Sequence, residues 1–116
     1  MAFTIDVRDG EALTRIALGG ELDMATAPRL QHAVTELLAS GRRRILVDVG
    51  QLVFCDSAGL NAFVQADKHC SARGGWLRLA GAHGQVARAM EITGVDEVLA
   101  YRHDPDRFRP AMRADG

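Results

Sequence analysis

Cysteine is scarce in this sequence, which has 116 residues and only two cysteines, Cys55 and Cys70. Their spacing of 15 residues matches no zinc-binding or Cys-x-x-Cys pattern. A chain of this length forms one domain and buries roughly two thirds of its unfolded surface, so it needs neither a metal nor a disulfide to fold. We therefore expect two reduced thiols in the core.

An excess of one charge and long apolar runs are also absent. The net charge is -1, which gives no general case for binding nucleic acid or an anionic membrane. No apolar run approaches the ~18 residues of a membrane-spanning helix, and Met1–Asp6 does not resemble a signal peptide. We expect a cytoplasmic protein.

Basic residues cluster once, in the arginine triplet at positions 42–44. The triplet could contact nucleic acid, but no second basic cluster and no interleaved aromatic residues accompany it. It follows a predicted helix, whose C-terminus favours nearby cations. A solvated loop between a helix and a strand is therefore the favoured interpretation, and a nucleic-acid contact is the alternative.

Alternating strands and helices dominate the hydrophobic pattern. Strands are predicted near residues 3–8, 12–18, 45–49, 76–81 and 98–101, and helices near 27–40, 60–72, 86–93 and from 104 onwards. Turn signals at Asp9-Gly10, Gly19-Gly20 and Gly41 separate the first elements. The order predicts an α/β fold, a mixed and mostly parallel sheet of four to five strands with about four α-helices. We expect one domain over 1–116, with its core at about 3–101.

The segment Leu52–Leu60 is predicted to link the most apolar strand to the second helix. In that helix Asp67 and Lys68 fall on the wetter side. Ser57 lies where a loop becomes the helix, so its hydroxyl is expected beside unpaired N–H groups at the positive end of the helix dipole. Such a position suits a phosphate. Plain helix capping by Ser57 is the alternative.

A catalytic role for Ser57 is disfavoured. The nucleophile elbow Gly-x-Ser-x-Gly has Cys55 at its first glycine position, and only Gly59 matches. No motif surrounds any of the later histidines, His69, His83 and His103. No dinucleotide-binding or P-loop motif occurs, so nucleotide binding is also disfavoured.

Four carboxylates are expected near the carboxyl ends of the parallel strands: Glu21, Asp23, Asp48 and Asp56. Such a group could hold a divalent cation. No short-range ligand spacing appears, however, and the favoured interpretation is that these residues cap helices and line a surface facing a partner.

A phosphate on Ser57 would add about −1.5 to −2 charges. The helix N-terminus would stabilise it by roughly 0.3–1 kcal/mol at an exposed site, and repulsion from Asp56 would oppose it by a similar amount. We therefore expect phosphorylation to change what the domain binds and to leave its folding stability nearly unchanged.

Four segments, in order, resemble the STAS-domain anti-sigma factor antagonist family. Residues Asp56–Leu60 read Asp-Ser-Ala-Gly-Leu and resemble the Asp-Ser-x-Gly-Leu phosphorylation loop of that family. Gly20–Asp23, the glycine pair at 74–75 and Ile92–Val95 resemble its other characteristic segments. The match spans about residues 3–101. It departs mildly at Cys55 and Ala58, and the tail from residue 104 to 116 matches least.

The resemblance implies a STAS fold and a partner switch that is not an enzyme. In that family the unphosphorylated protein binds an anti-sigma factor, a serine kinase with a histidine-kinase-like ATPase fold, and thereby releases a sigma factor. Phosphorylation of the motif serine, here Ser57, ends the complex, and a PP2C-type phosphatase restores it. ATP and Mg²⁺ belong to the kinase, so no cofactor is expected here. The implied partner-binding residues are Glu21, Asp23, Asp56, Ser57, Ala58, Gly59, Leu60 and Asn61.

An alternative role is compatible with the same family. The domain could be a STAS scaffold or interaction module in a stress-sensing or lipid-transport complex. In that case Ser57 would not be phosphorylated.

Overall fold

The computed structural model describes residues 2–103. Its elements are β1 Thr4–Asp9, β2 Thr14–Leu22, α1 Ala27–Ala39, β3 Arg44–Cys55, α2 Ser57–Ala72, β4 Trp76–Ala80, α3 Gly84–Thr93 and α4 Val95–His103. The strands form one sheet in the order β1-β2-β3-β4, with β1 antiparallel to β2 and the other pairs parallel. The predicted α/β class is confirmed, with four strands and four helices in the described residues.

One hydrophobic cluster joins the sheet to the helices. Ile16 and Val47 lie opposite each other on neighbouring strands, and both are fully buried. Alternate side chains of each strand point to the same face of the sheet. The first helix contributes the buried stripe Leu30, Val34 and Leu38. Gly41 follows this helix with a φ of +95°, which L side chains rarely adopt, so the predicted helix end is confirmed.

Strands β2 and β3 are longer than predicted. β3 continues to Cys55, so residues 52–55 form a strand rather than the expected loop. They pair with the far end of β2, where Leu22 lies opposite Cys55. The register shifts on both sides of the glycine pair, between Ala17 and Gly19 and between Gly20 and Glu21, with the extra residues on β3. β2 therefore continues through the glycine pair that was expected to end it. Ser57 therefore comes almost directly after a strand.

The predicted last strand at residues 98–101 is wrong. This segment lies in α4, where Val95 and Leu99 are one helical turn apart and both are buried. A short apolar run does not distinguish a strand from a helix, and the acidic residues in the first turn of α4 favour the helix. The helix predicted from residue 104 lies outside the described residues.

Two smaller predictions also need correction. The β1–β2 link is wider than an Asp9-Gly10 turn, because the Gly10 N–H donates to the Leu13 carbonyl at 3.0 Å. Asp67, expected on the wetter side of α2, is fully buried, and its Oδ1 accepts from the Leu77 N–H at 3.2 Å. None of the helices in residues 2–103 has the length and hydrophobicity of a membrane span.

Candidate functional site

The carboxyl ends of β2 and β3 lie side by side and carry most of the predicted site residues. Leu22 pairs with Cys55, so the next residues, Asp23 and Asp56, begin two neighbouring connections. The first connection leads to α1 and the second runs directly into α2. The Asp56 N–H donates to the Leu22 carbonyl at 3.2 Å, which attaches the start of α2 to the end of β2.

Asp56 is the N-cap of α2. Its backbone is extended, with φ −100° and ψ −173°, and its Oδ1 accepts from the Gly59 N–H at 2.9 Å. A carboxylate here satisfies a free N–H of the first turn and complements the helix dipole. The interpretation that the acidic residues cap helices is confirmed for Asp56, and the alternative that Ser57 is the cap is wrong.

Ser57 is the first residue of α2 and is exposed. Its hydroxyl makes no hydrogen bond to any residue that the structure describes. A serine nucleophile needs a base within hydrogen-bond reach, and none is placed there among these residues. The Ser57 hydroxyl is therefore accessible and free of hydrogen bonds to the described residues.

Gly59 and Leu60 hold the first turn of α2 against the strands. A Cβ on Gly59 would lie 2.8 Å from Cys55 Sγ, 2.8 Å from the Leu22 carbonyl oxygen and 2.9 Å from Leu22 Cγ. Leu60 is 5% exposed and belongs to the core. Of the remaining predicted residues in this turn, Ala58 is half-buried and Asn61 is exposed.

Asp23 organises the neighbouring connection. Its Oδ1 accepts from the N–H groups of Ala25 at 3.0 Å and Thr26 at 3.1 Å. The Asp23 N–H donates to Thr26 Oγ1 at 2.9 Å, and this hydroxyl lies 2.9 Å from the Glu21 carbonyl, to which it donates. Thr26 occupies the N-cap position of α1, but its side chain does not cap the helix. Both acidic residues are half-buried.

The structure does not bring the four predicted carboxylates together as a metal site. Asp48 lies within β3, opposite Ala17 and Ala80, and its Oδ1 accepts from the Gly50 N–H at 2.9 Å. In the part of the chain that the structure describes, no group of three or more His, Cys, Asp or Glu side chains is placed to hold a metal ion.

Large exposed apolar side chains flank the two connections, and the sequence interpretation did not include them. Met24 is 78% exposed, Val53 49% and Phe54 39%. Phe54 is exposed because the end of β3 extends beyond β4, and it lies opposite Glu21. We call Met24, Val53, Phe54 and Ser57 the Ser57 surface. The apolar residues next to the Asp56–Leu60 motif were the sequence signal that could have identified this surface.

Both cysteines are buried and free, as expected. Burial, with a smaller contribution from the charge of Asp56, raises the pKa of the Cys55 thiol to about 12. Burial and Asp67 raise the pKa of Cys70 to about 12 as well. The thiols therefore stay protonated and unreactive near neutral pH, and Cys55 serves as a packing residue behind Ser57.

Known proteins are similar to this chain in sequence. A family model described as "Mlab, STAS domain" matches residues 5–100. The anti-sigma-B factor antagonist of Bacillus subtilis (strain 168) is 31% identical over 101 residues, covering 85% of this chain and 90% of the relative.

Two solved structures have the same fold. The crystal structure of an anti-sigma factor antagonist from Mycobacterium paratuberculosis has a TM-score of 0.75 at 23% identity, covering 84% of this chain and 83% of that one. The Bacillus cell fate determinant SpoIIAA in its phosphorylated form has a TM-score of 0.65 at 20% identity, covering 83% and 86%.

Proposed function

The chain belongs to the STAS-domain family of anti-sigma factor antagonists, and we propose that it acts as such an antagonist with Ser57 as its phosphorylation switch. Unphosphorylated, it binds an anti-sigma factor serine kinase with a histidine-kinase-like ATPase fold, and a sigma factor is released. Phosphorylation of Ser57 ends this complex, and a PP2C-type phosphatase reverses the modification. ATP and Mg²⁺ are supplied by the kinase site, and this chain acts by binding rather than by catalysis.

The free hydroxyl of Ser57 is the observation that carries the proposal. Asp56 caps α2 through the Gly59 N–H, so Ser57 is not needed for capping. A kinase can add a phosphate there without breaking a hydrogen bond within the described residues. The solved structure of phosphorylated SpoIIAA, which shares this fold, supports the idea that such a domain accommodates the group.

Folding stability should be almost insensitive to the modification. The start of α2 favours the new charge by roughly 0.3–1 kcal/mol, and the adjacent Asp56 carboxylate opposes it by a similar amount. Binding is different, because Met24 and Phe54 lose water when a partner covers the Ser57 surface. A phosphate placed among them must be desolvated or must meet a like charge, which costs several kcal/mol.

Binding of Ser57 variants to a cognate anti-sigma factor kinase tests the proposal. We expect Ser57→Ala to bind constitutively, and Ser57→Asp or Ser57→Glu to bind at least tenfold more weakly by calorimetry. Thr35→Glu is the matched control, because it adds the same charge on an exposed face of α1 and should bind like the wild type. Acidic variants at position 57 that bind as tightly as the wild type would refute the switch.

The family model is described as a STAS domain and not as an antagonist, so a second candidate is a STAS scaffold in a stress-sensing or lipid-transport complex without phosphorylation. Mass spectrometry of the protein from its source separates the two functions. A singly phosphorylated species that disappears in Ser57→Ala supports the switch. Its absence under every growth condition, together with no binding to the kinase, supports the scaffold.

A further inference from the structure

Among residues 2–103, the end of β3 has no strand neighbour on the side of β4. Pairing of β3 with β4 stops where Asp48 lies opposite Ala80, whereas β3 continues for seven more residues to Cys55. On its other side the extension pairs with β2 up to Leu22. The backbone groups of the extension that face away from β2 must therefore find other partners.

Side chains from the start of α3 supply partners for Gly50 and Cys55. His83 Nε2 lies 2.8 Å from the Gly50 carbonyl. The Gln85 amide makes two hydrogen bonds to one residue, accepting from the Cys55 N–H at 3.0 Å and donating to the Cys55 carbonyl at 3.1 Å. A primary amide offers a donor and an acceptor together, so it can replace the peptide group of a neighbouring strand.

Cys55 is thereby held from both sides just before the phosphorylation loop. The Gln85–Cys55 hydrogen bonds hold it on the α3 side, and the Asp56 N–H holds the next residue to the Leu22 carbonyl on the β2 side. Gly59 lies close to Cys55, since a Cβ added there would be 2.8 Å from Cys55 Sγ, so the first turn of α2 packs on Cys55. The position of the Ser57 hydroxyl therefore depends on this attachment.

We propose that Gln85 acts through Cys55 as a positioning residue for the phosphorylation of Ser57. This inference rests on the function proposed above. A kinase must align the attacking hydroxyl with its bound phosphate, and a displacement of about 1 Å can reduce the rate by up to about 100-fold. Gln85 is itself exposed, so its loss should leave the core intact. Its contribution is to the geometry of Ser57 rather than to the global fold.

The test compares Gln85→Leu with Gln31→Leu, an equivalent change at an exposed glutamine of α1. For Gln85→Leu we expect the Cys55 amide proton to exchange about tenfold faster, while core amides such as that of Val47 are unchanged. The kcat/KM for phosphorylation of Ser57 by the cognate kinase should fall about tenfold, mostly in kcat. Gln31→Leu should show neither effect.

A second variant separates the two hydrogen bonds. Gln85→Glu keeps an acceptor for the Cys55 N–H but places a carboxylate against the Cys55 carbonyl. We expect it to retain more protection of the Cys55 amide than Gln85→Leu does, and to be phosphorylated at an intermediate rate. Phosphorylation that does not follow the exchange of Cys55 across these variants would refute the positioning role.

The outcomes distinguish this inference from the function on which it rests. Phosphorylation of Gln85→Leu with wild-type kinetics, or faster exchange throughout the core, overturns the positioning role and leaves the switch intact. If wild-type Ser57 is not phosphorylated at all, the proposed function fails and the positioning role fails with it. In that case protection of the Cys55 amide still shows whether the hydrogen bonds form.

Discussion

Gly59→Ala tests the close contact between α2 and the strands. The new Cβ would lie 2.8 Å from Cys55 Sγ and from the Leu22 carbonyl oxygen, well below the ordinary contact range of 3.4–4 Å. Neither neighbour can retreat easily. The Leu22 carbonyl accepts a hydrogen bond from the Asp56 N–H, and the backbone of Cys55 is hydrogen-bonded to the side chain of Gln85.

Two opposing effects determine the free energy of unfolding. Overpacking of this kind costs about 1–3 kcal/mol, and the rigid backbone oxygen favours the upper part of that range. Alanine is a better helix former than glycine by up to about 1 kcal/mol, although less so in a first turn. We therefore expect a net destabilisation of about 1–2 kcal/mol, or a lowering of Tm by roughly 4–8 °C per kcal/mol.

Urea unfolding followed by circular dichroism measures this change. Ala58→Gly is the matched control, because it reports the intrinsic helix preference at the adjacent position without adding an atom. We expect the control to be destabilised by less than about 1 kcal/mol. A Gly59→Ala protein as stable as the wild type would mean that the turn moves away freely, which would refute the packing argument.

Three further predictions concern protonation. Hydrogen bonds from Arg42 and Thr14 lower the pKa of Asp9, so this carboxylate stabilises the fold above its unfolded pKa of about 3.8, and that contribution is lost as pH falls through the folded value. Arg42→Gln should raise the pKa of Asp9 by carboxyl NMR, and an unchanged pKa would contradict this. The Cys55 and Cys70 thiols, whose pKa is raised to about 12, should be unreactive to a thiol reagent at about pH 8 until the chain unfolds. Because the folded state binds these protons more tightly, stability should fall as pH rises from about 9 to 12, less steeply in Cys70→Ala.

Local patterns were sufficient for the elements whose signals lie within their own sequence. The apolar stripe of α1 and the glycine that follows it require only helical periodicity and one residue with a left-handed backbone. The placement of Ser57 at the start of α2 also followed from the change of period after β3. Short-range information is enough there because the physical causes are themselves short-range.

Elements that depend on distant partners were mispredicted. Residues 52–55 form a strand because the far end of β2 pairs with them, and no local pattern reveals that partner. Asp67 was placed on the wet face of α2 by its charge alone. It is buried because β4 brings the Leu77 N–H to its Oδ1. The two side-chain hydrogen bonds of Gln85 to Cys55 likewise join residues thirty positions apart.

A double variant tests whether position 59 is a glycine because of packing or only because of partner binding. Cys55→Ala removes the Sγ atom that would lie 2.8 Å from a Cβ added at position 59, but the Leu22 carbonyl remains at the same distance. If packing explains the glycine, Cys55→Ala with Gly59→Ala should be more stable than the sum of the single changes predicts, by about 0.5–1 kcal/mol. The rescue should be partial, since the backbone oxygen still overlaps. Strictly additive changes in the free energy of unfolding would show that the two positions do not press on each other, and the glycine would then need an explanation in partner binding alone.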